Sequence, residues 1–318
     1  VQVDNINHAK GLTELTESPI GSGLSMQQDT DTGDYNPTMQ ITKTVRDLDQ
    51  GNALFSQFFG KATVAATGTG YVHSITHNAF SITNYVNAAF TPDSANCIEY
   101  INGVVTALGL TFDPNDFVKA TYDMLFTDQR ITGTTNTAAS LASATEVSTR
   151  KNFIARPSHY VRLNAQAGGA LANGDKINVT NVEVSLSKEM ELVGEIRGST
   201  GYSAPRFSGS PMFQADVKVT FKTLEDLTYY TAVAAGTEYK MDVVIQGDLI
   251  SGSTYRELTL LIPRCRIVTD PDFNVTTAGE NPLTVTFRSL VASSTPSGMF
   301  DTYPHLRIIN SRSTAYWQ

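Results

Sequence analysis

The feature that most limits how this chain can fold is a pattern that occurs twice without a gap. In the first copy, Ile41, Lys43 and Val45 alternate with Thr42 and Thr44, which is the period of a half-buried strand. Leu54, Phe55, Phe58 and Phe59 then recur at helical spacing, and Gly60 closes the run. Asp47 or Asp49 is placed to cap that helix at its start. In the second copy, Asp216 to Phe221 is the strand, Leu224, Leu227 and Tyr230 mark the helix, and Gly236 ends it. Setting Gly60 on Gly236 puts Ile41 on Val217, Val45 on Phe221, Leu48 on Leu224, Asp49 on Glu225 and Leu54 on Tyr230. Both copies lead on to strands, Tyr71 to Thr76 in one and Tyr239 to Ile245 in the other. A duplicated strand–helix unit predicts a mainly β chain in tandem halves, each with a short helix.

Further strands are expected from Phe80 to Val86, Cys97 to Phe112, Phe117 to Phe126, His159 to Asn164, Leu258 to Val268 and Leu283 to Leu290. Asp113-Pro114-Asn115-Asp116 supplies a turn between two of them. Ile177 to Arg197 reads as a hairpin with two chemically distinct faces. Val182, Val184, Leu186, Met190, Leu192 and Ile196 form the side that packs, and Glu183, Glu189, Glu191 and Glu195 form the polar side. Its spacing also matches Leu108, Leu110, Phe112, Val118 and Tyr122, but any alternating hairpin produces such a match, so it weighs little. Residues 1–37, with Gly21-Ser22-Gly23 and an Asp-rich run from Asp29, read as an irregular N-terminal arm. Residues 127–152 are rich in Thr, Ser and Ala and read as a polar linker. The expected organisation is an arm at 1–37, a first module at 38–152 ending in that linker, a second module at 153–292 and a C-terminal arm at 293–318.

Composition narrows the class of function. A chain of 318 residues exceeds what one small core organises, and its 41% apolar content is enough to fill a large one. Only 17% of residues are charged. A surface of short polar side chains is easily buried against neighbours, because few charges must be desolvated. That favours a structural protein that assembles with copies of itself. The net charge of −8, from 23 basic and 31 acidic residues, argues against gripping nucleic acid by its phosphates. Cys97 and Cys265 lack C-x-x-C spacing and read as buried small hydrophobes. No apolar run reaches the length of a membrane-spanning helix and no signal-peptide pattern opens the chain, so a soluble protein folding in a reducing cytoplasm is expected.

Motifs of catalysis and ligation fail one by one. His73 and His77 are four apart, but Ser74 stands where a metalloprotease helix carries Glu, and Val72 and Ile75 indicate a strand. In the run Asp29, Asp31, Gly33 and Asp34, the glycine comes one position early for a calcium loop and Gln40 replaces the closing Glu. Gly68-Thr69-Gly70 lacks the third glycine of a dinucleotide fingerprint, and Gly60-Lys61 is not followed by Ser or Thr. There is no G-x-S-x-G elbow. The sequons at Asn178 and Asn274 have no secretory context. No catalytic, cofactor or metal residue is expected.

The order of elements resembles the tail tube proteins of long non-contractile-tailed bacteriophages. The resemblance is carried by the arm, by Met39-Gln40-Ile41-Thr42-Lys43-Thr44-Val45 and the helix ending Phe58-Phe59-Gly60, then by Ile177 to Leu186 and by Met212 to Gly236. Arg256 to Val268, with Leu260-Leu261-Ile262-Pro263, and the closing Leu306-Arg307-Ile308-Ile309-Asn310 complete it. It rests on element order and hydrophobic pattern from about Thr38 onward, without a diagnostic signature. The resemblance implies tail-tube-type β-sandwich modules flanked by a helix, stacked rings, and a lumen for the genome. It implies no catalytic residue and no cofactor. The partners would be further copies of the chain, the tape measure protein, tail-end proteins and double-stranded DNA in transit, with no membrane; the place of action would be the virion tail, assembled in the host cytoplasm. Two modules per chain favour a ring of three subunits with pseudo-sixfold symmetry over a ring of six. Glu183, Glu189, Glu191 and Glu195 are the candidate lumen-facing residues, with outer solvent as the alternative. Competing functions are another tail component such as a hub or completion protein, or a carbohydrate-binding or adhesin-type sandwich. The last would use Tyr229, Tyr230, Tyr303 or Trp317 as stacking platforms.

Overall fold

The structure, a computed structural model, describes residues 5–9, 12–17, 29–48, 52–77, 85–92, 96–131, 135–143, 151–156, 159–193, 205–208, 213–221, 228–268, 272–273 and 283–316. Strands dominate it. β1 (Asn5–Ala9), β2 (Leu12–Glu17), β3 (Asp29–Tyr35) and β4 (Thr38–Thr44) lead to helix α1 (Ala53–Phe59). Then come β5 (Gly60–Thr67), β6 (Gly70–His77), β7 (Val86–Phe90), β8 (Ile98–Phe112), β9 (Lys119–Leu125), β10 (Asp128–Arg130) and helix α2 (Ala138–Ala142). β11 (Tyr160–Ala165), β12 (Lys176–Ile177), β13 (Asn181–Lys188), β14 (Met190–Glu191), β15 (Arg206–Phe207) and β16 (Phe213–Phe221) precede helix α3 (Thr228–Ala235). The chain closes with β17 (Glu238–Ser251), β18 (Thr254–Ile267), β19 (Asp272–Phe273), β20 (Leu283–Ser289) and β21 (His305–Asn310).

Antiparallel ladders join these strands into two runs. In the first, β1, β4, β9, β8, β13, β16 and β20 follow one another. The end of β18 and then β19 pair with the far edge of β20. In the second, β12, β11, β17, β18, β21, β6 and β5 follow one another. β18 serves both runs, so 17 strands form one connected sheet. Period-two alternation sends Ile41, Tyr122, Leu108, Leu186 and Val217 of the first run and Ile75, Leu306, Leu260 and Val243 of the second into one continuous core.

Helix α1 lies inside that core. Its residues Leu54 to Phe59 are all buried, with Phe55 5.5 Å from Tyr122, Phe58 edge-on to Phe59 at 5.2 Å, and Phe58 5.8 Å from Phe213. Seven residues are too few to hold a helix by themselves, so packing sustains this one. Gly60 ends it at φ 99°, where a side chain would be strained, and its N–H donates to the Ser56 carbonyl. Helix α3 ends the same way, at Gly236 with φ 62°. α3 lies shallower, with Ala232 buried and Ala234 and Ala235 exposed. Its expected anchors Leu224 and Leu227 lie outside the described residues, as does Asp49.

Several sequence expectations need correction. Asp47 does not cap α1: the N-cap is Asn52, without a side-chain cap bond. Asp47 is instead fully buried, where Arg256 meets it at 2.5 Å and the Leu48 and Lys151 N–H groups donate to it at 2.9 and 2.6 Å. The N-terminal arm is not irregular, because β1 satisfies an edge of β4 and β2 pairs with β3 in a separate ribbon. The C-terminal segment supplies β21, a central strand of the second run, with Leu306 and Ile308 fully buried. The polar linker holds β10, paired to β8, and α2, capped by Thr137. The buried Glu99 carboxylate fixes its approach by accepting the Thr135 and Asn136 N–H groups at 2.8 and 2.6 Å.

Strand order and direction recur within the first run. β1, β4, β9 and β8 are followed by β13, β16, β20 and the β18 end with β19, in the same sequence of directions. In each set a two-stranded ribbon separates the first strand from the second, β2–β3 in one and β14–β15 in the other. A short helix then follows the second strand, α1 after β4 and α3 after β16.

Candidate functional site

Every second residue of the first run faces away from the core, and the registers align these residues into rows across seven strands. One row reads Asn5, Thr42, Thr121, Gly109, Ser185, Asp216, Arg288. On one side of it lie Asn7, Gln40, Asp123, Ala107, Ser187 and Gln214. On the other side lie Thr44, Lys119, Thr111, Glu183, Lys218 and Thr286. No apolar side chain larger than alanine occurs in these rows. The result is a broad, smooth face of hydroxyls, amides and a few charges.

Those charges cancel. Asp123, Glu183 and Asp216 stand against Lys119, Lys218 and Arg288. Glu183 and Lys218 pair at 3.2 Å across β13 and β16. Arg288 donates twice to Asp216, at 2.8 and 3.0 Å. Asp123 accepts from the Gln40 amide at 2.7 Å, and Lys119 reaches Asp116 at the adjoining turn, 2.8 Å away. Exposed pairs of this kind stabilise a fold by about 0–1 kcal/mol, so their larger effect is on the electrostatic character of the face.

Of the glutamates singled out from sequence, Glu183 lies on this face, paired with Lys218. Glu189 and Glu191 are exposed where the chain leaves β13. Glu195 lies outside the described residues. The expected hairpin from 177 to 197 does not form, because β8 and β16 occupy both edges of β13. Met190-Glu191 pairs with Arg206-Phe207 in a ribbon of its own. Sequence reasoning missed the cations Lys218 and Arg288. Alternation along Asp216 to Phe221 was sufficient to put Lys218 on the polar side.

The other candidates are structural. His73 is buried, 3.0 Å from both the Asn310 side-chain oxygen and the Arg312 carbonyl, and its ring lies 4.7 Å from that of Tyr316. His77 stacks on Tyr303 at 4.4 Å, so that tyrosine is engaged. Burial lowers the pKa of both histidines. The side chains of Tyr229 and Tyr230, and Trp317, lie outside the described residues. Among the described residues no cluster of His, Cys, Asp and Glu is arranged to hold a metal ion. Cys97 and Cys265 are buried free thiols, and burial raises the pKa of each. Lys188, at the end of β13, lies 4.9 Å from the Phe58 ring, and burial lowers its pKa to about 8.

A family model of phage tail tube proteins matches residues 9–289. A search among curated proteins returns no match.

Proposed function

The chain belongs to the phage tail tube protein family and is a structural part of the virion tail, not an enzyme; from that premise we propose that three copies close a pseudo-sixfold ring, that rings stack into the tube, and that the polar face of the first run lines the lumen.

The observation that carries this reading is the recurrence of four strands in the same order and direction within one sheet. It supports two tail-tube-type sandwich modules per chain, at 38–152 and 153–292, with β1 added to the first. Six modules then need three chains. The polar face supports a lumen assignment on chemical grounds. Duplex DNA carries one negative charge per roughly 1.7 Å of axis, and each Lys or Arg contact to phosphate would slow its passage. A wall of short polar groups with cancelling charges gives a moving duplex little to hold. Glu183 belongs to that wall. The β2–β3 and β14–β15 ribbons leave the sheet at the same end, so we assign them to contact with the adjoining ring, with Glu189 and Glu191 at that junction. The tape measure protein would fill the lumen before ejection, and tail-end proteins would close the tube.

Electron microscopy of the purified protein, with class averages down the tube axis, tests this. Tubes with threefold symmetry and six lobes per ring are expected. True sixfold symmetry with one sandwich per subunit would overturn the three-copy ring, and protein that never forms rings or tubes would overturn the assembly reading.

A further inference from the structure

The chain carries within itself a copy of the contact that could close its ring. β8 ends the first set of strands and pairs with β13, the opening strand of the second, from Ala107 opposite Ser187 to Phe112 opposite Val182. Each partner has a counterpart elsewhere. β1 holds the place of β13: with Ile41 set on Val217, the ladders put Asn5 on Glu183, Ile6 on Val184 and His8 on Leu186. The end of β18 with β19 holds the place of β8, on the far edge of β20 as β8 is on the far edge of β9. The same matching puts Ile267 on Leu108 and Asp272 on Thr111. The inward and outward alternation agrees, since Ile267 is buried like Leu108 and Ile6 packs on the core as Val184 does.

Among the described residues the counterpart edges are unpaired. β1 pairs with β4 on one side and with no described strand on the other. β17 leaves β18 at Arg266, so Ile267, Val268 and β19 have β20 on one side and no described strand on the other. Open edges of this kind recruit further strands, and two edges of matching direction within one chain recruit copies head to tail. We propose that β1 of one copy pairs antiparallel with the edge formed by the end of β18 and β19 of the next copy. The register is that of β8 on β13, with Asn5 of one copy opposite Asp272 of the next and His8 opposite Ile267. The first run then continues around the ring without an edge. This junction rests on the ring reading above and adds the strands and register that make it.

A full-length chain carrying Asn5→Cys and Asp272→Cys tests the junction, since Cys97 and Cys265 are buried. Assembled tubes treated with a mild oxidant or a short bis-maleimide should give a denaturing-gel ladder that stops at three linked chains, and neither single variant should give one. A ladder that runs to six supports the junction and overturns the three-copy ring. Normal tubes whose chains stay unlinked overturn the junction and leave the ring reading intact. If the double variant does not assemble, hydrogen exchange on the wild-type chain decides. The Ile267 amide, and those amides of Asn5 to Ala9 that do not already donate to β4, should exchange at least tenfold more slowly in tubes than in unassembled protein, whereas Val268, which already donates to the Thr286 carbonyl, should not change; unchanged Ile267 and β1 rates overturn the junction. A wild-type chain that forms neither rings nor tubes overturns both.

Discussion

At the scale of single residues, Asp47 joins parts of the chain that are distant in sequence. Its carboxylate holds Arg256 and the Lys151 N–H, and its carbonyl accepts from the Asn310 amide at 2.6 Å and the Tyr316 hydroxyl at 2.5 Å. Burial raises the Tyr316 pKa to about 12, so it remains a donor at neutral pH. Removing Arg256 by substitution with Ala would leave a buried carboxylate without its cation, at a cost of about 3–5 kcal/mol. Urea denaturation of the unassembled chain measures this, and a loss below about 1 kcal/mol would refute the role. None of this was legible in the sequence, where Asp47 reads equally well as a helix cap. The deciding partner lies more than two hundred residues away. Four histidines, His73, His77, His159 and His305, are held below their ordinary value of 6.5, in each case mainly by burial. Their folded pKa values are depressed, so as pH falls through 6.5 the unfolded chain takes up protons first and stability drops toward the folded values. The melting temperature of the unassembled chain should therefore fall between about pH 7 and about pH 5, before most carboxylates titrate. A flat profile across that window would contradict the burial.

Among the elements, those built from local signals were the legible ones. Strand period, aromatic spacing and a terminal glycine are all written within some twenty residues; the first strand–helix–glycine unit forms where it is expected, and the second has its strand and its closing glycine at the expected positions, with Leu224 and Leu227 outside the described residues. Phe58→Ala should cost roughly 3–5 kcal/mol, because the ring is fully buried against Phe59 and Phe213. A variant as stable as wild type in denaturant would exclude α1 from the core. Alternation tells which face of a strand is buried but not which neighbour fills its edge. That is why the sequence alone suggests a return strand for β13 and places β1 and β21 in arms. β5 escaped notice for a different reason: Lys61 to Thr67 is mostly Ala and Thr, too small to register as amphipathic. The turn after it is nonetheless demanding. Gly68 has φ +54°, and a Cβ there would lie 2.7 Å from the Thr254 hydroxyl at the β17–β18 turn. Gly68→Ala should destabilise by about 1–3 kcal/mol through strain and crowding, read as a lower melting temperature. An unchanged value would mean that the two hairpin turns do not hold each other.

For the whole molecule, the polar face of the first run is balanced in charge rather than acidic. The glutamates were visible on one face of one segment, but Lys218 and Arg288 come from β16 and β20, and only sheet assembly brings them beside Glu183 and Asp216. The lumen assignment makes that balance consequential. In a variant with Glu183→Gln and Asp216→Asn, Lys218 and Arg288 lose the carboxylates they pair with on the wall. Folding and tube formation should change little, because exposed pairs of this kind contribute about 0–1 kcal/mol each. DNA transit should change a great deal. Repetition around each ring, and from ring to ring, would turn two cations per chain into a basic lining whose field reaches about 8 Å at physiological salt and farther in dilute buffer. Phosphates would dwell on such a lining, so virions built with the variant should eject their genome more slowly, with the delay deepening as salt is lowered. The complementary variant, Lys218→Gln with Arg288→Gln, leaves only acids at the same positions and should show no such delay. Ejection triggered from purified virions and followed by fluorescence of a DNA dye, at several salt concentrations, separates the two. Equal ejection rates for both variants at low salt would mean that this face does not meet the DNA, and would move the lumen to another surface of the chain.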